Sequence, residues 1–318
     1  MSDLRWKLGK GAEIRVIAPS ASWRISSARK YALAVRRLES NGYHVTFGEN
    51  IKARTRLGTA SVAQRITDLE AAYLDDNVKA ILCLNGGWSS IELLSGIDWN
   101  IIMRNPKPLI GFSDITVLVN AIYAKTGQTT LLGPTLSDLG SDKTWEMTLN
   151  ALNAVLEFPN IIETPQNDGW LSDKKYYSTP KPWRIIRPGR ASGILVGGNL
   201  GSLYLLQGTP YMPDLMQGII LAIEMDSEDA YTIREFDRRL ESLLLQPMSV
   251  RAVLVGRFET SSRVNKIDVD DVIYRKFGTT IPILADVDFG HTSPMLTLPI
   301  GASVTVDTAK QNKLTLFT

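Results

Sequence analysis

Residues 78–87, "VKAILCLNGG", hold one charge in a run that is otherwise apolar up to Asn85, Gly86 and Gly87. A short continuous apolar run closed by turn residues reads as a parallel strand covered on both faces. The flanks agree with that. Upstream, "SVAQRITDLEAAYLDDN" (61–77) has helical periodicity, and downstream "PLIGF" (108–112) repeats the strand type before a helical stretch from Ile115 to Lys125. Further upstream come a strand candidate, "EIRVIAP", the helical "SSARKYALAVRRLESNG" with Gly42 as its stop, and "YHVTFG", which alternates at period two. Strands alternating with helices predict a doubly wound, mostly parallel α/β sheet over 1–160.

The regular pattern stops over 161–188, where "ETPQNDGWLSDKKYYSTPKPWRIIRPG" carries turn residues and aromatics but no helical period, and it reads as a connecting loop. A second α/β block follows over 189–318. It comprises "ASGILVGG", a helix from Asn199, "GIILAIE", a helix from Ala230 to Leu245, "VRAVLVGRF", a helix near 267–277, and "IPILADVDF". A chain of 318 residues suits two such units.

Bulk properties exclude several function classes. Hydrophobic residues make up 44% and charged residues 21%, and 35 basic against 33 acidic side chains leave a net charge of +2 with no long run of one sign. A nucleic-acid polymer or membrane surface bound through bulk charge is therefore not expected. The N-terminus does not read as a signal peptide, and no segment approaches roughly 18 uninterrupted apolar residues. Cys83 is the only cysteine. An intramolecular disulfide is impossible, which agrees with a cytoplasmic protein, and Cys83 reads as a small buried hydrophobe. Two histidines, one cysteine and no HExxH spacing argue against a zinc site. "GGNLGS" lacks the full dinucleotide spacing.

The sequence "GFSDITVL" (111–118) places Ser113 between a strand and a helix. Ser113 could be a helix cap followed by Asp114 in the first turn. It could equally be a nucleophile on a tight turn over amides able to hold an oxyanion, although Ile115 stands where the GxSxG elbow has its second glycine. Gly86 and Gly87 end another strand and could offer a second amide donor or simply form a turn. If a serine has a histidine base, it is His44 or His291. His44 fits a half-exposed strand position. His291, in "VDFGHTSPMLTLPIG", follows a strand end in a loop stiffened by Pro294, where open α/β folds put functional groups. Glu224 closes the apolar "GIILAIE" and needs a partner, whether histidine, lysine, arginine or amides.

Together, "GFSDITVL", "GGNLGSL" with "GTPYMPD", the strand-end glutamate of "LAIEMDSEDAYTIREFDRRL" and "VDFGHTSPMLTLPIG" resemble the family of LD-carboxypeptidases and microcin C immunity proteins. "SVAQRITDLEAAYLDDNVKAILCLNGG" matches the family's segment before its glycine loop, and the resemblance runs over nearly the whole chain. It implies a serine peptidase with a Ser113, Glu224 and His291 triad, set in a cleft between an N-terminal α/β domain and a C-terminal α/β domain. It further sets the family's glycine pair on Gly86 and Gly87 and its asparagine on Asn199; an oxyanion hole is expected at Gly86, Gly87 and Asp114, and Asn199, Trp183 and Trp88 are expected to contact substrate. No metal or organic cofactor is expected, and the chain is expected to form a homodimer. One departure is Met225, where the family usually has aspartate; Asp226 is then a weaker rival for local charge.

"GTPYMPD", "AIYAKTGQTTLLGP" and the His291 segment look more like the immunity branch. That branch implies cleavage of an amide joining an aminoacyl group to a nucleotide-like portion, for which Trp170, Tyr176, Tyr177 or Trp183 could stack the base. No basic residue lies between Glu224 and Tyr231 to meet a phosphate. The alternative is a murein-recycling LD-carboxypeptidase acting on a small peptide, with Arg187, Arg190 or Arg234 available for a substrate carboxylate.

Overall fold

The computed structural model describes residues 6, 8–157, 161–162, 169–173, 175–179, 182–227, 232–310 and 314–317. It is a mixed α/β molecule built on two main sheets. The first has the spatial order Leu298–Ile300, Thr130–Leu132, Leu109–Gly111, Val78–Cys83, Glu13–Ile17, His44–Phe47. Its five strands from the first half are parallel. Strand order reverses between Glu13–Ile17 and Val78–Cys83, so the loops after these two strands open a crevice at the carboxyl edge. The sixth strand, Leu298–Ile300, pairs antiparallel with Thr130–Leu132 and threads the end of the chain into this sheet.

Local chemistry fixes the helices between the strands. Ser61 and Gln64 form a reciprocal capping box on Val62–Leu74, and Gly127, at φ +72°, ends Thr116–Thr126 in the left-handed region. Val78–Cys83 is buried at every position but Lys79, as its composition predicts.

In the second sheet, Arg190–Asn199, Ile219–Glu224, Val250–Gly256 and Ile283–Val287 run parallel side by side. Antiparallel strands complete its edges. Register sets Asn199 beside Glu224 at one carboxyl end. The segment expected to be a loop is only partly one. Trp170–Ser172 and Lys175–Tyr177 form a hairpin, and Arg184–Arg187 is an edge strand paired with Ile283–Val287. The helix expected from Ala230 is described from Thr232 to Leu244; residues 228–231 lie outside the described set.

The two halves share a core. One apolar cluster runs from Ile81 and Val117 to Leu221 and Val253. At this seam Asn120 exchanges hydrogen bonds with Gly197 (Nδ2 to O 2.8 Å, N to Oδ1 3.2 Å). A Cβ on Gly198 would stand 2.5 Å from Thr116 Oγ1. Gly198 is therefore required where the helix Thr116–Thr126 docks, and Gly197 where the backbone of Ala222 passes, an explanation that needs no nucleotide. No helix among the described residues is long and apolar enough to cross a membrane.

Below the site, Asp288 is buried between Arg257 and Trp183, accepting from the Arg257 guanidinium and from the Trp183 indole N–H (2.8 Å). Arg257→Ala would take the guanidinium from a buried carboxylate. Urea unfolding should show a loss of about 3 to 5 kcal/mol. A loss below about 1 kcal/mol would mean that the pair does not carry local stability.

Candidate active site

Ser113 follows the strand Leu109–Gly111 at φ +60°, a left-handed conformation that is costly for a residue with a side chain. A 3-10 turn, Ser113–Ile115, then leads directly into the helix Thr116–Thr126. Two features hold the turn in this shape. The buried Asp114 carboxylate accepts from Ser20 Oγ (2.6 Å) and Ser90 N (2.8 Å), tying the turn to both crevice loops. A Cβ on Gly86 would fall 2.8 Å from Ser113 Cβ, so only glycine lets the two loops approach.

Gly87, against Ser20 and Ala21, is equally constrained: its Cβ would stand 2.3 Å from Ser20 Oγ. Its N–H is bonded to no described residue. The turn is closed by Ile115 N to Phe112 O and Thr116 N to Ser113 O, and the Asp114 N–H takes part in neither. Two backbone N–H groups, those of Gly87 and Asp114, are thus uncommitted among the described residues.

Residues from the second half complete the arrangement. His291 Nε2 lies 3.1 Å from Ser113 Oγ, and its Nδ1 lies 2.8 Å from Glu224 Oε2. Glu224 is buried at the end of Ile219–Glu224 in a socket that glycine shapes. A Cβ on Gly256 or on Gly290 would come within 2.6 Å of the glutamate side chain. Asn199 Nδ2 donates to Glu224 Oε1 and Asp226 Oδ2, both at 3.2 Å, while its Oδ1 accepts from Ser202 N (3.0 Å). Burial pushes the His291 pKa down, but Glu224, by charge and hydrogen bond, with the charges of Asp226 and Glu259, overcomes this and holds it up at about 9.

His44 stands exposed on the edge strand and takes no part. Asn199 is occupied in holding Glu224 and Asp226, so its amide is committed to the protein rather than open to a ligand. Trp183 corrects the expectation of a stacking surface: it is 8% exposed, with its N–H on Asp288. Trp170 is buried and stacked on Tyr177. The hairpin instead grips the histidine loop, since Leu171 and Ser293 exchange two backbone hydrogen bonds of 2.7 and 3.0 Å. Trp88, half exposed, lines a cleft of about 930 Å³ together with Gly87, Asp114, Asn199 and Asp226. Sequence reasoning missed Ser20 and Ser90, although Ser20 follows a parallel strand at its carboxyl edge and was legible on that ground.

The two-part α/β fold is that of MccF-like proteins. The LD-carboxypeptidase N-terminal domain model matches residues 14–133 and the C-terminal domain model matches 192–306. The chain belongs to the LD-carboxypeptidase family. It is 38% identical over 314 residues to the provisionally named carboxypeptidase YocD of Bacillus subtilis (strain 168), covering 95% of each chain. The crystal structure of an MccF-like protein from Bacillus anthracis str. Ames superposes with a TM-score of 0.92 at 39% identity, covering 98% of both chains. A structure of MccF in complex with glutamyl sulfamoyl guanosine superposes with a TM-score of 0.85 at 26% identity, over 98% of this chain and 97% of that one.

Proposed function

We propose that this carboxypeptidase-family protein is a serine-type amide hydrolase whose substrate joins an aminoacyl group to a nucleotide-like portion. The observation that carries the reading is the unbroken line from Glu224 through His291 to Ser113, at 2.8 and 3.1 Å. In the neutral tautomer with the proton on Nδ1, His291 donates to Glu224 and accepts the Ser113 proton at Nε2. The serine oxygen attacks the amide carbonyl, and the N–H groups of Gly87 and Asp114 receive the oxyanion. His291 then protonates the leaving amine and activates the water that releases the acyl group. Glu224 orients the ring and offsets its positive charge, and Asn199 positions Glu224. The nucleophile comes from an N-terminal unit, 1–160, and the other two groups from 189–318.

The nucleotide-like portion is supported by the ligand in the related MccF structure and by Trp88, the half-exposed aromatic in the cleft. The family resemblance carries a cytoplasmic homodimer with it; sedimentation tests the dimer. The functional test is hydrolysis of an aminoacyl-sulfamoyl-adenosine against a murein tetrapeptide. Faster cleavage of the adenosine compound is expected. Preference for the tetrapeptide would assign the chain to cell-wall peptide turnover instead.

A further inference from the structure

The cleft lined by Gly87 and by Asp114, the residue after Ser113, is also lined by Asn199, Asp226 and, on the helix Thr232–Leu244, by Arg238, Arg239 and Ser242. The two arginines are not equivalent. Arg238 is 74% exposed and paired with Glu235 Oε1 at 2.6 Å, the position of a surface ion pair. Arg239 is 30% exposed, and only its Nε engages Glu235, at 3.2 Å. Its Nη1 stands 2.6 Å from the point a Cβ on Gly201 would occupy, a point 3.2 Å from Asn199 Oδ1. The guanidinium therefore lies on bare backbone next to the amide that holds Glu224. Among the described residues its Nη1 and Nη2 make no hydrogen bond.

Among the described residues one carboxylate, Glu235, pairs with both guanidinium groups, and it engages Arg239 through Nε alone. A partly desolvated guanidinium with two open donors fits an oxyanion bidentately. The other candidate arginines are committed or distant. Arg187 donates to the carbonyls of Gly278 and Ile281. Arg190 pairs with Asp307 at the start of the ten-residue strand that ends in Asn199, about 30 Å from the site. Arg234 does not line the cleft.

We infer that Arg239 is the receptor for a substrate oxyanion carried on the part of the substrate beyond Asn199. A peptide carboxylate and the sulfamoyl or phosphoryl group of a nucleotide-like amide share this chemistry. The inference deepens the proposed function and rests on it. It is tested by binding rather than turnover, in a Ser113→Ala background, so that failure of the chemistry and failure of anion recognition give different results.

Calorimetry would compare two ligand pairs: a murein tetrapeptide with its C-terminal carboxamide, and an aminoacyl-sulfamoyl-adenosine with a neutral amide-linked counterpart. Arg239→Ala should weaken the charged member of one pair by about 10- to 100-fold and its neutral partner by less than about twofold. The affected pair names the source of the anion. Gly201→Ala, which keeps the charge but drives a methyl group into the guanidinium's position, should weaken the same ligand and covers the case in which Arg239→Ala folds poorly. Equal weakening within both pairs, no change in either, or no binding of any of the four would overturn the assignment.

Discussion

Ser113→Ala should leave a folded protein with turnover reduced by about four orders of magnitude or more. The expectation follows from what the hydroxyl does and does not touch. Among the described residues Ser113 Oγ has one partner, His291 Nε2 at 3.1 Å, and the turn beneath it is held by the Asp114 side chain and by Gly86, not by the serine oxygen. Alanine suffers the left-handed backbone about as serine does, so the strain is unchanged. Thermal unfolding should move by no more than a few degrees, while the acyl-enzyme can no longer form. An active-site serine probe should label the wild type at one residue and leave the variant unlabelled. Retention of more than about a tenth of the wild-type rate would end the assignment of Ser113 as nucleophile, and a collapse in stability would show that its role in the turn had been underestimated.

The same residues show where sequence reasoning reaches its limit. The parallel strands and their helices were legible because apolar runs such as Val78–Cys83 and Ile219–Glu224 carry their own signal and end where the polar groups begin. Ser113, Glu224 and His291 could be picked out as strand-end residues of the right chemical types, but spacing alone did not choose between nucleophile and helix cap, or between a histidine and another partner for Glu224. The aromatic segment was misread for a physical reason. Its hairpin is held by pairing between Leu171 and Ser293, remote in the chain, and three-residue strands are too short to show a period. The strand Leu298–Ile300, which returns to the first sheet, escaped notice for the same reason. Gly256 and Gly290 carry no local mark of their task either. Their function is to leave room for a glutamate that is distant in sequence, visible only when the sheets are assembled.

Glu224→Gln should lower kcat/KM at neutral pH by about four orders of magnitude, the scale on which losing the buried carboxylate of a hydrolytic triad acts. It should also displace the pH profile, which a merely structural role would not do. In the wild type the imidazolium persists up to about 9. Only about one part in a hundred of the free enzyme then holds the neutral base at pH 7, and kcat/KM should climb about tenfold per unit between pH 6 and 8 before levelling near 9. Without the Glu224 charge the histidine loses its strongest support and its pKa falls, so the limb should move to lower pH even as the ceiling drops. Stability carries the matching sign. Because the folded pKa is raised, the pair's contribution is fully present below the ordinary histidine value of 6.5 and is lost as pH rises through about 9. The stability gap between wild type and Glu224→Gln should therefore narrow from pH 6 to pH 10 in denaturant titrations. A kcat/KM limb that stays in place in the variant would show that Glu224 does not set the protonation of His291, and the charge on Asp226 or Glu259 would then be the one to remove.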